Sequence, residues 1–165
     1  MMTYKTSLDN LAKGVTLGVT ILFFVIIAGQ YSSSVTEGKS PFIFSTMLLS
    51  LIYLGTFLFR PIRYSITDEK LIIHRPLLDI KIDRTTIEKV EQLENDQLSC
   101  AVRIFGVGGL FGYWGKFSNS KIGSMTWYAT RRSNAVLVTT IHNKKIVLTP
   151  NEPEKFVTEF NRQTL

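Results

Sequence analysis

The sequence predicts an α+β chain in two parts: a pair of apolar N-terminal helices, then a mainly β domain that ends in one α-helix. Three observations predict it. Two uncharged runs, residues 14–36 and 40–59, fill the chain before residue 60. After it, apolar and polar residues alternate in short stretches, the two-residue period of half-buried strands. Only the last dozen residues change to helical spacing.

Residues 40–59 are 20 positions without a charge; as a helix rising ~1.5 Å per residue they cover about 30 Å, the thickness of a bilayer's hydrocarbon core. The Leu, Ile and Phe residues each favour insertion by roughly 0.3–0.6 kcal/mol near the centre, enough to outweigh Ser45, Thr46, Ser50 and Thr56. The run stops abruptly at Arg60-Pro61-Ile62-Arg63. The upstream run has the same character, and the polar residues 30–40 between them predict a tight link. The expectation is a transmembrane hairpin over residues 1–60, with helices at about 12–30 and 41–60. Two readings compete with it. A cleaved leader fits Lys5 and Lys13 before the first run and Ala28-Gly29-Gln30 after it, but a second spanning run follows closely. Buried core helices would show a polar face, and neither run does. Lys5 and Lys13 precede the first run, and Arg60, Arg63 and Lys70 follow the second, against Lys39 alone between them. That bias predicts both termini on the cytoplasmic side. Gly14-Val15-Thr16-Leu17-Gly18 has the spacing for close helix approach, within the hairpin or between chains.

Residues 61–165 suffice for one compact domain with its own core. The single Cys100 excludes an internal disulfide and suits a reducing compartment. Charge is uneven: residues 97–151 hold no Asp or Glu, yet contain Arg103, Lys116, Lys121, Arg131, Arg132, Lys144 and Lys145. Near an anionic leaflet each such cation is attracted by about 1 kcal/mol. These seven are the candidate contacts for anionic lipid or for a membrane-protein partner.

Tyr64 and Ile66 alternate with polar neighbours in a first strand of this domain, Thr67-Asp68-Glu69-Lys70 turns, and 71–75 returns until Pro76. Leu78, Ile80 and Ile82 mark a third strand, and 87–93 is read as a fourth. From Arg103 to Phe117, five glycines alternate with large aromatics; each would cost about 1 kcal/mol in a helix, so the stretch reads as strands and tight turns. Residues 125–130 and 135–141 read as a hairpin around Arg131-Arg132-Ser133-Asn134, and 145–149 as the last strand. Asn151 and Glu154 have capping-box spacing, Pro153 suits a first turn, and Phe156, Val157 and Phe160 share one face of a helix at 152–162.

Six or seven antiparallel strands and one C-terminal helix is the order of a pleckstrin-homology-like (PH-like) barrel. The run Phe105-Gly106-Val107-Gly108-Gly109-Leu110-Phe111-Gly112-Tyr113-Trp114-Gly115, then Tyr128-Ala129-Thr130, Asn134-Ala135-Val136-Leu137 and Thr149-Pro150-Asn151-Glu152-Pro153-Glu154-Lys155-Phe156, resembles the bacterial PH-like domain family of membrane-anchored proteins. The resemblance covers roughly 60–160 and implies the fold and a membrane setting, but no particular activity. Two features differ from phosphoinositide-binding relatives: the first turn, 67–70, is short and acidic where theirs is basic, and the final helix lacks their tryptophan.

Other chemistries find little support. The glycine run lacks the helix that a dinucleotide fingerprint needs and any Gly-Lys-Ser/Thr ending. His74, His142 and Cys100 match no zinc or catalytic spacing. Tyr113, Trp114, Trp127 and Tyr128 among cations could stack nucleic-acid bases, but they suit a headgroup layer or a core equally well. No catalytic residue, cofactor or metal is expected, and no nucleic acid. The expected protein is a non-enzymatic, multi-pass protein of the bacterial inner membrane whose domain meets anionic phospholipid or another membrane protein. The alternative is a scaffold or assembly module without specific lipid recognition.

Overall fold

The computed structural model of the chain describes residues 1–37, 40–94, 96–98 and 100–162. Strand β1 (Met2–Lys5) precedes two helices, α1 (Asn10–Glu37) and α2 (Ser40–Leu58). Then come β2 (Arg63–Ile66), β3 (Lys70–His74), β4 (Ile80–Asp83), a 3-10 turn (Arg84–Thr86) and β5 (Ile87–Gln92). β6 (Val102–Gly109), β7 (Gly112–Asn119), β8 (Gly123–Ala129), β9 (Val136–Thr140), β10 (Lys145–Leu148) and α3 (Pro153–Arg162) complete the chain. Helix α1 continues through much of the segment expected to be a polar link, because Tyr31 to Glu37 carries no proline or glycine to stop it. Gly38 and Lys39 lie outside the described residues.

The strands form two sheets, ordered β1-β2-β3-β4 and β5-β9-β10-β8-β7-β6. The expected closed antiparallel barrel is therefore not what the described strands build. At the 3-10 turn the chain leaves β4 and pairs β5 with β9 instead, so each sheet keeps its own edges. Nor do 125–130 and 135–141 pair as a hairpin: β10 lies between β8 and β9, parallel to β8 with Ile146 opposite Thr126. The 130–135 connection thus crosses over, and Asn134 turns it with φ 51°.

The second sheet buries both faces. Val90, Val136, Val138 and Leu148 pack against Tyr64, Ile66, Leu71 and Ile73 of the first sheet, with Phe156 and Phe160 of α3 completing the cluster. On the opposite face Trp127 stacks on Phe117 with centroids 4.4 Å apart, under Leu93, Leu98 and Ala101 of the β5–β6 connection. Ala12, in the first turn of α1, belongs to this same core. Helix α3 starts one residue later than capping-box spacing suggests. The Glu152 carbonyl accepts from the Phe156 N–H at 3.0 Å, while Asn151 Oδ1 accepts from Ser7 Oγ at 2.9 Å.

Strand β1 was not legible in the sequence, and it changes the domain's plan. Met2, Thr3, Tyr4 and Lys5 pair with Ile66, Ser65, Tyr64 and Arg63, and the Asn151 N–H donates to the Lys5 carbonyl at 3.0 Å. The helices are an insertion between two neighbouring strands of one sheet. A chain beginning at residue 60 should therefore leave β2 an open edge and associate. Restoring residues 1–8 through a short Gly/Ser linker in place of the helices should give a monomeric, cooperatively melting domain, as judged by size exclusion and thermal melting.

Tyr64, fully buried, donates to the Tyr128 carbonyl at 2.6 Å and accepts from the Thr149 N–H at 3.2 Å. Burial pushes its hydroxyl up to about 12, so the fold favours the neutral phenol. The unfolded chain ionises first, near pH ~10. The stability Tyr64 supplies is thus intact below that pH and is lost as the pH rises towards 12, at up to about 1.4 kcal/mol per pH unit. In alkaline unfolding titrations Tyr64→Phe should fall less steeply over this window than the native chain.

Candidate membrane interface

Asp9 stands where β1 has ended and α1 begins. Its Oδ1 accepts from the Ala12 N–H at 2.7 Å, capping the helix. The same carboxylate accepts from the Tyr113 hydroxyl at 3.2 and 3.1 Å and from the Arg132 backbone N–H at 3.1 Å. Burial, and next the charge of Asp9, push the Tyr113 hydroxyl well above the ordinary tyrosine range. Beside this, the Asp9 N–H donates to the Thr130 carbonyl, and the Thr130 hydroxyl to the Ser7 carbonyl at 2.9 Å.

The glycine-aromatic run forms the β6–β7 ribbon, and its tip lies between the two helices. Gly109 and Gly112 have φ of 131° and 125°, and Phe111 a φ of 58°, so the turn needs the left-handed freedom of glycine. A Cβ on Gly109 would lie 3.3 Å from the Val15 methyls. The Phe111 N–H donates to Thr16 Oγ1 at 2.9 Å, about two turns into α1. The Phe111 ring meets Tyr53 and Phe57 of α2 edge to face, with centroids 5.0 and 5.4 Å apart.

Helix α2 returns to the domain through Phe59, 5.5 Å from Trp114 between ring centroids, and the Leu77 N–H donates to the Leu58 carbonyl at 3.2 Å. The helices run side by side and antiparallel, since Thr20 Oγ1 meets the Tyr53 hydroxyl at 2.8 Å and Ser45 Oγ donates to Gln30 Oε1 at 2.7 Å. Their outer surfaces are apolar and uncovered, with Ile21, Leu22 and Phe24 of α1 and Phe44, Met47 and Leu51 of α2 exposed. They are not core helices. Asn10–Tyr31 is long and apolar enough to cross a bilayer, whereas the second apolar stretch, Ile43–Leu58, is shorter.

The seven cations expected to contact lipid or protein do not share one surface. Arg131 donates to Ser7 Oγ, Asn151 Oδ1 and the Pro150 carbonyl, and Arg132 to the Ala101 carbonyl at 3.1 Å while lying over the Tyr113 ring. Both are close to the helices but committed to holding the domain. Lys121 pairs with Asp96 at 2.6 Å and Lys145 donates to the Ile122 carbonyl at 2.6 Å. These two and Lys144 stand at the far end of the sheet. Ile146 is level with Thr126, and so is Lys116 of β7, which places Lys145 four residues below Ala129 and Lys116 three, roughly 13 and 10 Å along the strand. That leaves Arg103 and Lys116 on the ribbon, exposed.

Other cations surround the helix ends. Lys13 lies exposed in the first turn of α1. The Arg60 guanidinium sits 4.3 Å over the Phe57 ring, and that of Arg75 5.3 Å over Phe59. Sequence reading used Lys13 and Arg60 as orientation markers only; their position at the ends of the apolar runs was the signal that could have placed them here. None of these five, Lys13, Arg60, Arg75, Arg103 and Lys116, has an ion pair among the described residues, whereas Lys70, Lys89, Lys121, Lys155 and Arg162 do.

One constellation of catalytic type was missed. Ser65 Oγ lies 2.9 Å from His74 Nε2, and His74 Nδ1 2.9 Å from Asp79 Oδ2, the order of nucleophile, base and orienting acid. Ser65 is fully buried and its Oγ lies 3.0 Å from Thr3 Oγ1 of β1. No substrate carbonyl can reach it; the chain of hydrogen bonds ties three strands together. Among the described residues no group of three His, Cys, Asp or Glu side chains could hold a metal.

A family model described as "Bacterial PH domain" matches residues 62–164, more than half of the chain. The chain belongs to the bacterial PH domain family. The match agrees with the resemblance carried by the glycine-aromatic run and indicates no catalytic family. It begins after the helices and so leaves out β1. No curated protein and no solved structure matches the chain.

Replacing Asp9 by Ala removes a helix cap worth about 1 kcal/mol and leaves the Tyr113 hydroxyl without its acceptor, a further cost of about 1–3 kcal/mol. Thermal melting of the full chain in detergent should show a loss of about 2–4 kcal/mol for Asp9→Ala. Asp9→Asn, which keeps the cap, should lose less.

Proposed function

We propose that this chain is a non-enzymatic PH-like module built into its own membrane anchor, which holds it against the cytoplasmic face of the bacterial inner membrane and turns a collar of cations towards anionic lipid. The observation that carries this reading is the pairing of β1 with β2. The chain leaves the sheet through α1 and returns to the neighbouring strand through α2, so a crossing by α1 requires a second crossing back. That parity supports two spans although the apolar part of α2 is short, and it supports both termini on one side. The Lys/Arg bias around the helix ends favours the cytoplasmic side.

The collar consists of Lys13, Arg60 and Arg75 at the helix ends, with Arg103 and Lys116 on the ribbon. Among the described residues none of them has a carboxylate ion-pair partner, which leaves them for phosphate. Lys121 and Lys144 stand in turns at the far end of the sheet, and Lys121 and Lys145 are engaged by Asp96 and the Ile122 carbonyl, so we leave these three out of the collar. The scaffold reading draws on a different feature, the edge strand β6, whose Val102 and Phe105 are 67% and 72% exposed and could receive a partner's strand.

Full-length chain in mixed vesicles of phosphatidylcholine and phosphatidylglycerol, extracted with its surrounding lipid into polymer-bounded discs, tests the lipid reading. At about 1 kcal/mol per cation near the surface, the discs should hold phosphatidylglycerol about two-fold or more above the bulk at low salt. The excess should disappear at high salt and in a Lys13→Gln, Arg60→Gln, Lys116→Gln variant. Disc lipid of bulk composition at low salt would refute the reading.

A further inference from the structure

An open groove of about 730 Å³ runs between α2 and the β6–β7 ribbon, within the roughly 300–1,000 Å³ typical of small-molecule sites. Ile52, Gly55, Thr56 and Phe59 form the helical wall, and Ile104, Phe105, Val107 and Trp114 most of the other, with Arg103 among them. Apart from Thr56, that one cation and the Trp114 indole N–H, which is buried without a hydrogen-bond partner among the described residues, the side chains lining the groove are apolar. Gly55 leaves a notch in the helix, since no atom lies within 4 Å of where its Cβ would be. Ile104 is 63% exposed although it points from an edge strand beside a membrane helix.

Arg103 brings charge to the right height. Its Nη1 lies 3.3 Å from where a Cβ on Gly108 would be, five residues further along β6. An extended strand would carry Gly108 about 16 Å away, so the ribbon must bend. Gly106 and Gly115 supply the bend: they face each other with φ of 107° and 123°, and a Cβ on either would run into the opposite strand's carbonyl. The guanidinium therefore folds back towards Gly109 and the base of α1, where the apolar helices meet the polar domain.

We propose that this groove holds one membrane phospholipid with an anionic headgroup, one acyl chain lying along Ile52, Gly55, Ile104 and Phe105 and its phosphate on Arg103. Three features favour a lipid over a protein segment as the occupant. One wall belongs to a helix whose outer surface is itself apolar and exposed, so the groove opens directly onto the bilayer. The unpaired guanidinium complements a phosphodiester, and no carboxylate stands in the groove to repel it. No atom lies within 4 Å of the Gly55 Cβ position, so a methylene chain can lie against the helix backbone there. The proposal rests on the membrane reading above but goes beyond it, because it concerns one retained molecule and not the lipid composition around the collar.

The test counts lipid on the full chain. Protein from discs of equal phosphatidylglycerol and phosphatidylethanolamine is released into mild detergent and examined by native mass spectrometry. One phosphatidylglycerol is expected to remain on the native chain. Gly55→Phe fills the groove without disturbing the domain and should lower retention at least five-fold. Ile104→Glu, on an exposed position that leaves the core intact, should do the same if Gly55→Phe fails to insert. Arg103→Gln should keep a lipid but lose the preference for phosphatidylglycerol. Native-like retention in both groove variants would overturn the proposal, as would a native chain that carries no lipid. Loss of a dimer instead of a lipid on filling the groove would overturn it in favour of a second copy seated there. The Lys13, Arg60, Lys116 variant should still retain the groove lipid, so failure of the collar reading and failure of the groove are separable results.

Discussion

The pairing of β1 with β2 constrains everything else in this molecule. A strand of four residues is weak alone, yet here it is held by a full ladder, by the Asn151 N–H on the Lys5 carbonyl and by the Thr6 hydroxyl on the Ile62 carbonyl at 2.8 Å. Because the two strands are neighbours, the ends of the helical insertion are pinned a strand spacing apart, ~5 Å. Helices packed side by side need about 8–10 Å between axes. The short segments 6–9 and 59–62 make up that difference, and most side-chain contacts that fix the anchor fall in or beside them. A flexible linker would let the domain explore a wide volume; two chain connections, a carboxylate cap and an aromatic cluster leave it a single orientation.

The same constraint accounts for the composition of the ribbon. Its tip must pass between α1 and α2, where there is room for backbone at Gly109 but not for a side chain, and it must then fill the space under α2 with Phe111. Small residues at the turn and large ones beside it are two halves of one packing requirement. Thr16 is explained in turn: a hydroxyl in an apolar helix is costly unless it has a partner, and it receives the otherwise unpaired Phe111 N–H.

The parts of this plan visible in the sequence were those with long or strongly periodic signals. The apolar runs, the alternation around Tyr64 and Ile66 and the Phe156/Phe160 face of α3 are all of this kind. Met2–Lys5 carries no comparable signal, since four residues with one half-buried side chain have no readable period, and its partner lies some sixty residues away. The crossover that makes β10 parallel to β8 was hidden for a related reason: a polar tetrapeptide such as 131–134 looks the same whether the chain turns back or crosses over. The basic set is spread over the domain because an acid-free stretch is a property of the chain, while a charged surface is a property of the fold. Strands 123–129 and 145–148 run parallel, both towards the helices, so Lys121, Lys144 and Lys145 stand at their start, at the far end of the sheet from Arg131 and Arg132. Asp9 gave no signal at all, because a single acid before a helix reads as a cap and nothing in the sequence brings Tyr113 or Arg132 to it.

The built-in anchor also bears on what a lipid contact here can accomplish. A soluble lipid-binding domain must recruit itself from water, which takes a deep headgroup pocket and several simultaneous charge contacts. On the anchored reading proposed above, this domain is already at the surface, so cations at about 1 kcal/mol each add nothing to its localisation. They can only decide which lipids stand next to it. The first turn of the sheet agrees with this: where a recruiting domain would present basic residues, Thr67 Oγ1 accepts from the Lys70 N–H and donates to the Lys70 carbonyl, both at 2.9 Å. Lys70 itself is paired with Asp83 at 3.6 Å. That turn is closed upon itself and lies at the end of β2 opposite the helices, whereas Lys13, Arg60 and Arg75 stand at the helix ends. If the helices hold the domain at a membrane as proposed, the cations at their ends suit a module that selects its lipid neighbours and not one that searches for a membrane.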